Sequence, residues 1–341
     1  VRRFAVLLVL AAVALAVLLG APFVGPTEIS LESVLQGPRA GGAARIFWTI
    51  RVPRVAVAFL AGMGLAVSGM AFQAMFRNPL ATPFTLGVAS GASLGAAAYL
   101  YASAALAVVW PAGRPVAAFC GALAAVGLVY GLTRLRKGFA TDTLLLAGVA
   151  VAFFFSSLIV CLQYLSDPFD SFRILRWLMG GLSDTVGYRG VWTLGPLALL
   201  GSALIGSFTR ELNLLTTGED LAASRGVAVG RVKHLLFFGA SLTVGGVVSV
   251  CGPIGFVGLM SPHICRLLTG PDHRTLTPAT LLFGGAFLVV CDTLARAAFP
   301  LYSRLTAGAL DYTEVPVGVI TALLGGPFFL YLLLRGGRRA T

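Results

Sequence analysis

Ten long apolar segments recur along the chain, at residues 4–19, 46–76, 84–109, 115–133, 143–165, 191–208, 234–251, 254–268, 277–297 and 315–334. About 20 apolar residues carry an α-helix across the hydrocarbon core of a bilayer. The pattern therefore predicts an all-α integral membrane protein of about ten transmembrane helices, read as a single transmembrane domain over residues 1–341. The first segment follows Arg2 and Arg3, an arrangement that signal peptides share. The many later spans favour a retained first helix.

An even number of spans puts both termini on one side, and the positive-inside rule places them in the cytoplasm. Arg2, Arg3, Arg77, Arg134, Arg136, Lys137, Arg210, Arg225, Arg231, Lys233, Arg266, Arg274, Arg335, Arg338 and Arg339 then face inwards, 15 of the 25 basic residues. The other ten, Arg39, Arg45, Arg51, Arg54, Arg114, Arg173, Arg176, Arg189, Arg296 and Arg304, face outwards. That outer excess goes beyond topology control and asks for an acidic partner. The net charge of +12 raises nucleic acid as a partner, but the basic residues are scattered and form no basic stripe. With 57% apolar and 11% charged residues, against about 25% charged in soluble domains, an ordinary soluble domain is excluded.

Two loops stand out. The outer one, residues 166–190, mixes Asp167, Asp170 and Asp184 with Arg173 and Arg176 and is expected to carry a short helix. The inner one, residues 210–233, contains Thr217-Gly-Glu-Asp-Leu-Ala-Ala-Ser-Arg-Gly226. Thr217 can cap a helix start with Asp220 three positions on, while Glu219 and Asp220 suit the positive end of the helix dipole. Arg225 suits the negative end, and Gly226 can take the left-handed stop conformation. Such a helix is either plain structure or a docking element, and its isolation among short loops favours docking.

Glycine makes up 42 of 341 residues, about 12% against roughly 7% in average usage. Gly87, Gly91 and Gly95 form a stripe that predicts close helix packing, since lipid offers no hydrophobic drive for helix association. In Gly252-Pro-Ile-Gly-Phe-Val-Gly-Leu-Met-Ser-Pro-His-Ile-Cys-Arg266 the glycines and prolines predict a bend or re-entrant turn. Asp292 and Arg296 stand four apart on one helix face, either as a structural pair or as part of the outer rim. Cys120, Cys161, Cys251, Cys265 and Cys291 lie inside apolar runs without metal-ligand spacing and read as buried packing residues. His234, His263 and His273 show no paired spacing. No metal ligand and no catalytic residue is assigned: there is no H-E-x-x-H, no G-x-x-x-x-G-K-(S/T) and no G-x-S-x-G with a plausible histidine partner.

Several segments in order resemble the FecCD-type permeases of ABC importers for iron chelates, haem and cobalamin. They are Arg51-Val-Pro-Arg54, Ser68 to Ala81, Leu86-Gly-Val-Ala-Ser-Gly91, Leu144-Leu-Leu-Ala-Gly148, Trp177-Leu-Met-Gly-Gly181, Gly218 to Gly226, Gly255 to Arg266 and Glu314-Val-Pro-Val-Gly318. The resemblance implies ten helices per subunit, with two copies enclosing a path through the bacterial inner membrane. It also implies two cytoplasmic ATP-binding subunits that use ATP and magnesium, none of it bound by this chain, and a soluble substrate-binding protein outside.

On the same basis Arg51, Arg54 and Arg296 would meet acidic residues of that binding protein. Thr217, Gly218, Glu219, Asp220, Ala222, Arg225 and Gly226, within coupling helices at about 214–232, would seat on the ATPase. Asn78, Pro79, Leu80, Ala140 and Thr141 would form the cytoplasmic gate. Ala297 to Thr313 is longer than the link expected of the family and reads as an extended outer loop. Residues 62–79 and 239–263 share a run of small residues leading to a proline, which suggests an inverted repeat of two five-helix halves. The alternative reading is an ion-coupled secondary transporter or channel that works without an ATPase partner. A membrane enzyme would need a catalytic group that the sequence does not supply.

Overall fold

A computed structural model describes residues 2–38, 41–106, 110, 113–135, 141–183, 187–306 and 314–336. In chain order the helices are α1 (Arg2–Gly20), α2 (Leu31–Leu35), α3 (Gly42–Ile46), α4 (Val52–Phe76), α5 (Val88–Ala105), α6 (Gly113–Leu135), α7 (Thr141–Leu165) and α8 (Pro168–Leu178). They continue with α9 (Arg189–Ser207), α10 (Thr209–Thr217), α11 (Glu219–Ser224), α12 (Val229–Cys251), α13 (Val257–Thr269), α14 (His273–Thr306) and α15 (Val317–Gly336). A π-helical turn, Phe47–Arg51, joins α3 to α4. The described residues form no strand.

Each of the ten predicted apolar segments carries a helix, respectively α1, α4, α5, α6, α7, α9, α12, α13, α14 and α15. Seven helices among the described residues are long and apolar enough to cross a membrane. The predicted segments at 84–109, 254–268 and 315–334 are not among the seven. At 13 residues, α13 extends only about 20 Å at 1.5 Å per residue, less than the roughly 30 Å apolar layer. It follows a break in which Gly252 and Phe256 both take φ of +67°, so the expected bend is present. The expected outer loop at 297–313 is helical as far as Thr306, because α14 runs on for 34 residues. Residues 307–313 lie outside the described part.

Two long helices lie at the centre. α4 and α12, the second long helix of each half of the chain, are the most buried of the candidate spans. α1, by contrast, leaves Phe4, Leu8, Val9, Val13 and Leu19 exposed, and α7 does so with Leu146, Phe153, Phe154 and Tyr164. Apolar side chains on an outer face are what a hydrocarbon solvent permits, since the backbone polar groups are satisfied within each helix. The same solvent accounts for a correction at the cysteines. Cys251, Cys265 and Cys291 are buried as expected, but Cys120 on α6 and Cys161 on α7 are exposed.

Small residues set the close crossings. A Cβ on Gly62 would overlap the Gly284 carbonyl of α14, and one on Gly69 would overlap that of Gly258 in α13. Gly91 and Gly121 lock α5 to α6 in the same reciprocal way, and Gly95 sits against the Ala117 carbonyl. Gly87 departs from the predicted stripe. It is the left-handed residue before α5, with φ of +78°, and faces Gly148 of α7.

Candidate functional site

At one end of the bundle a buried carboxylate binds two arginines, and a third arginine lies beside them. Asp292 of α14 is 0% exposed. It accepts hydrogen bonds from Nε and Nη2 of Arg54, at 3.0 and 2.8 Å to Oδ1, and from Nε of Arg296, at 3.1 Å to Oδ2. Arg54 uses its remaining Nη1 on Glu314 at 2.7 Å. Arg296 also donates to the Val24 and Ala21 carbonyls, and Arg51 donates to those of Pro22, Phe23 and Thr27. The segment after α1 is thereby folded over the arginines as a lid of carbonyl acceptors. A planar guanidinium with several donors suits this work, because every N–H removed from water needs an acceptor.

The three arginines expected to stand free on the rim are thus 4–7% exposed and hydrogen-bonded within the chain. Glu314, whose side chain is 36% exposed, is the cluster member that meets solvent. The Asp292–Arg296 pair is structural, as one of its two sequence readings held. Nothing local in the sequence announces Arg54 as its second partner, 238 positions away.

Beside this cluster, segments distant in sequence close on one another. Gly180, at φ +67°, packs on the Pro253 carbonyl, and Gly318 packs on that of Met179. The Gly181 N–H donates to the Cys251 carbonyl at 2.8 Å, and the Gly318 N–H to the Gly180 carbonyl at 3.3 Å. The end of α8, the break before α13 and the start of α15 are therefore stitched together through backbone. They line a cavity of about 510 Å³ with Leu178, Met179, Pro253, Val319, Ala322 and Leu323. A neighbouring cavity of about 320 Å³ shares Leu178 and Pro253 and adds Ser90, Ser93, Ser156 and Gln163. Neither wall carries a charge, so this surface can hold a bulky solute by shape and a few neutral polar contacts.

The other recurring segments also meet in pairs. Gln73 of α4 donates to the Leu259 carbonyl of α13 at 3.2 Å and accepts from Arg266 at 3.3 Å. Gly148 of α7 lies against Leu86 and Thr85. Apart from Gly218 to Gly226, each stretch quoted as characteristic is thus a contact surface for another such stretch.

At the opposite end lie α10 and α11. Thr217 does not cap α11 as its position in sequence suggested. It is the last residue of α10, its hydroxyl bonds back to the Leu214 carbonyl, and Gly218 at φ +133° makes the corner. Gly226 does take the left-handed stop, at φ +83°. Glu219, Leu221, Ala223 and Arg225 are exposed or partly exposed while Ala222 is buried. Glu219 reaches back to Lys233 of α12, which is 2% exposed. Asp220 stands in the first turn beside it.

A second clamp fixes α10 to the α13–α14 corner. Asn213 donates from Nδ2 to Asp272 at 2.8 Å and accepts at Oδ1 from the His273 backbone N–H at 2.9 Å. With Oδ1 so oriented, the His273 ring at 2.8 Å must donate from Nδ1. The Asn213 amide, followed by the Arg274 backbone N–H, holds the Asp272 carboxyl below the usual carboxylate range.

Of the expected gate, Asn78 accepts the Leu80 N–H at 2.9 Å across Pro79, and Leu80 is exposed. Arg77, left-handed at φ +50°, ends α4 just before it. Thr141 opens α7, while Ala140 lies outside the described residues.

Comparison with known proteins gives a consistent result. The FecCD transport family profile matches residues 7–335. The chain is 43% identical to the cobalamin import system permease BtuC of Halobacterium salinarum over 288 residues, 84% of this chain and 73% of that one. It is 36% identical to the hemin transport system permease HmuU of Yersinia pestis over 330 residues, 93% of this chain and 91% of that one. Among solved structures, a metal-chelate type ABC transporter in an inward-facing conformation superposes with a TM-score of 0.82. The two are 28% identical, and the match covers 96% of this chain and 98% of the other.

Proposed function

The chain belongs to the FecCD transport family, and from that premise we propose how this permease subunit of a type II ABC importer for metal chelates works. Two copies enclose the path. The cargo is a ferric siderophore or haem, with cobalamin as the next choice. It passes from an external binding protein over the uncharged surface around Leu178, Pro253 and Val319. ATP and magnesium act on two separate cytoplasmic subunits, and this chain binds neither.

The observation that carries this reading is the convergence of residues 177–181, 252–255 and 314–318 on one uncharged cavity beside the arginine cluster. A bulky chelate needs room and shape, and a cavity lined by aliphatic side chains and backbone supplies both without trapping the cargo through ion pairs. The arginine cluster is the docking point for the binding protein in this account. A glutamate of that protein competes with the solvent-facing Glu314 for Arg54, while Arg51 and Arg296 hold the lid in place. At the other end α10 and α11, with Thr217 to Gly226, seat on the ATPase, and the Glu219–Lys233 and Asn213–Asp272 contacts carry its movement into α12 and α14. Asn78 to Leu80, with Ala140 and Thr141, form the inner gate.

An ion-coupled carrier finds less support, because Asp292, a carboxylate buried in a span, is already bound by Arg54 and Arg296 of the same chain. The cargo is tested by purifying the cognate binding protein from the native host and recording its absorption spectrum. A metal-chelate or porphyrin band is expected. A binding protein that retains a colourless, metal-free solute would overturn the assignment.

A further inference from the structure

A third cavity, of about 270 Å³, lies at the arginine end of the bundle and differs in kind from the uncharged pair. It is walled by Arg114 of α6, by Arg173, Arg176 and Trp177 of α8, by Leu100 of α5 and by Ser183. Of these arginines, Arg173 is paired with Asp170 at 2.9 Å, and Arg114 lies over the Trp177 ring at 4.5 Å from its centroid. Trp177 is 8% exposed, and its Nε1–H is buried with no acceptor among the described residues. The wall is thus rich in N–H and O–H donors, three of its side chains are cationic, and its described lining includes no carboxylate.

We infer that this cavity is an anion site, taking one carboxylate or phosphate group through Arg176, with Trp177 and Ser183 as supporting donors. Pockets that take a whole drug-sized ligand measure about 300–1,000 Å³, so the space suits one charged group and not an entire chelate. A guanidinium matches the paired oxygens of a carboxylate or phosphate, and cation–π contact with Trp177 keeps the Arg114 plane in place. The group can belong to a small solute or to an anionic lipid headgroup. This site is additional to the transport reading and does not depend on which chelate is carried.

The test uses the full chain in nanodiscs of phosphatidylcholine, with tryptophan emission recorded during titration with inorganic phosphate or succinate against a sodium chloride control. A saturable change is expected, lost in Trp177→Phe and weakened at least tenfold in Arg176→Gln, with Arg176→Lys intermediate. Nanodiscs containing phosphatidylglycerol separate the sources. A Trp177-dependent change seen only with that lipid assigns the group to a headgroup, and one seen with phosphate or succinate in neutral lipid assigns it to a solute. No Trp177-dependent response to any of the three anions overturns the site. So does a response unchanged in Arg176→Gln, or one elicited only by an added binding protein. Arg176 is exposed, so its variants test the site without disturbing the core.

Discussion

Arg54 of α4 and Asp292 of α14 share two hydrogen bonds to one carboxylate oxygen, 2.8 and 3.0 Å long, across 238 positions of sequence. The bond joins the most buried span to the longest helix, and Arg296 binds the other oxygen. Removing one member of a buried ion pair typically costs about 3–5 kcal/mol, because a charge is left without a partner. Asp292→Ala is therefore expected to lower the thermal midpoint in detergent sharply. Glu314→Ala, at a half-exposed site, should lower it much less. Equal effects in thermal melts would show that Asp292 is not the organising member.

Competition for Arg54 gives a second expectation. If an external glutamate displaces Glu314, then Glu314→Gln leaves Arg54 more available. The affinity for the binding protein should rise several-fold, mostly through slower dissociation. Surface plasmon resonance on the reconstituted complex measures it, and an unchanged or weaker affinity contradicts docking at Arg54.

Helix packing yields a pair of glycine variants with opposite outcomes. A methyl group at Gly69 meets the Gly258 carbonyl, and backbone cannot move aside easily. Gly69→Ala should destabilise by about 1–3 kcal/mol or more, the usual range for overpacking. Gly127 of α6 has open space at the same position, so Gly127→Ala should be neutral or gain up to about 1 kcal/mol from helix propensity. Thermal melts of the two variants decide.

The Asn213–Asp272 clamp predicts an acid-side dependence. Asp272 is held below the unfolded carboxylate range, so its contribution is present above about pH 4 and is lost as pH falls through the depressed folded value. The stability difference between wild type and Asp272→Asn should be constant near neutrality and shrink below about pH 4. A difference that grows on acidification would carry the wrong sign for this clamp.

Much of the fold was legible because it is written locally. Ten apolar runs became ten helices, and the i, i+4 spacing of Asp292 and Arg296 announced their pair. What escaped was non-local or conformational. Arg54 and Asp292 are joined by tertiary packing, and Glu219 and Lys233 by the turn between them. The corner at Gly218 turned Thr217 from a cap into the end of the preceding helix. Residues 297–306 read as loop only against the short link expected of the family, yet α14 continues through them. The family resemblance named Arg51, Arg54 and Arg296 as docking residues, and the sequence could not say that the chain itself supplies them with acceptors.

The central claim is that this subunit moves its cargo only when driven by separate ATP-binding subunits. Uptake of the chelate kept by the cognate binding protein can be measured in proteoliposomes, either with the chain alone under proton or sodium gradients or with the complete complex and ATP. The account predicts no uptake by the chain alone under either gradient, and ATP-dependent uptake by the complex that requires the binding protein. Gradient-driven uptake by the chain alone, without ATP or partners, would contradict it.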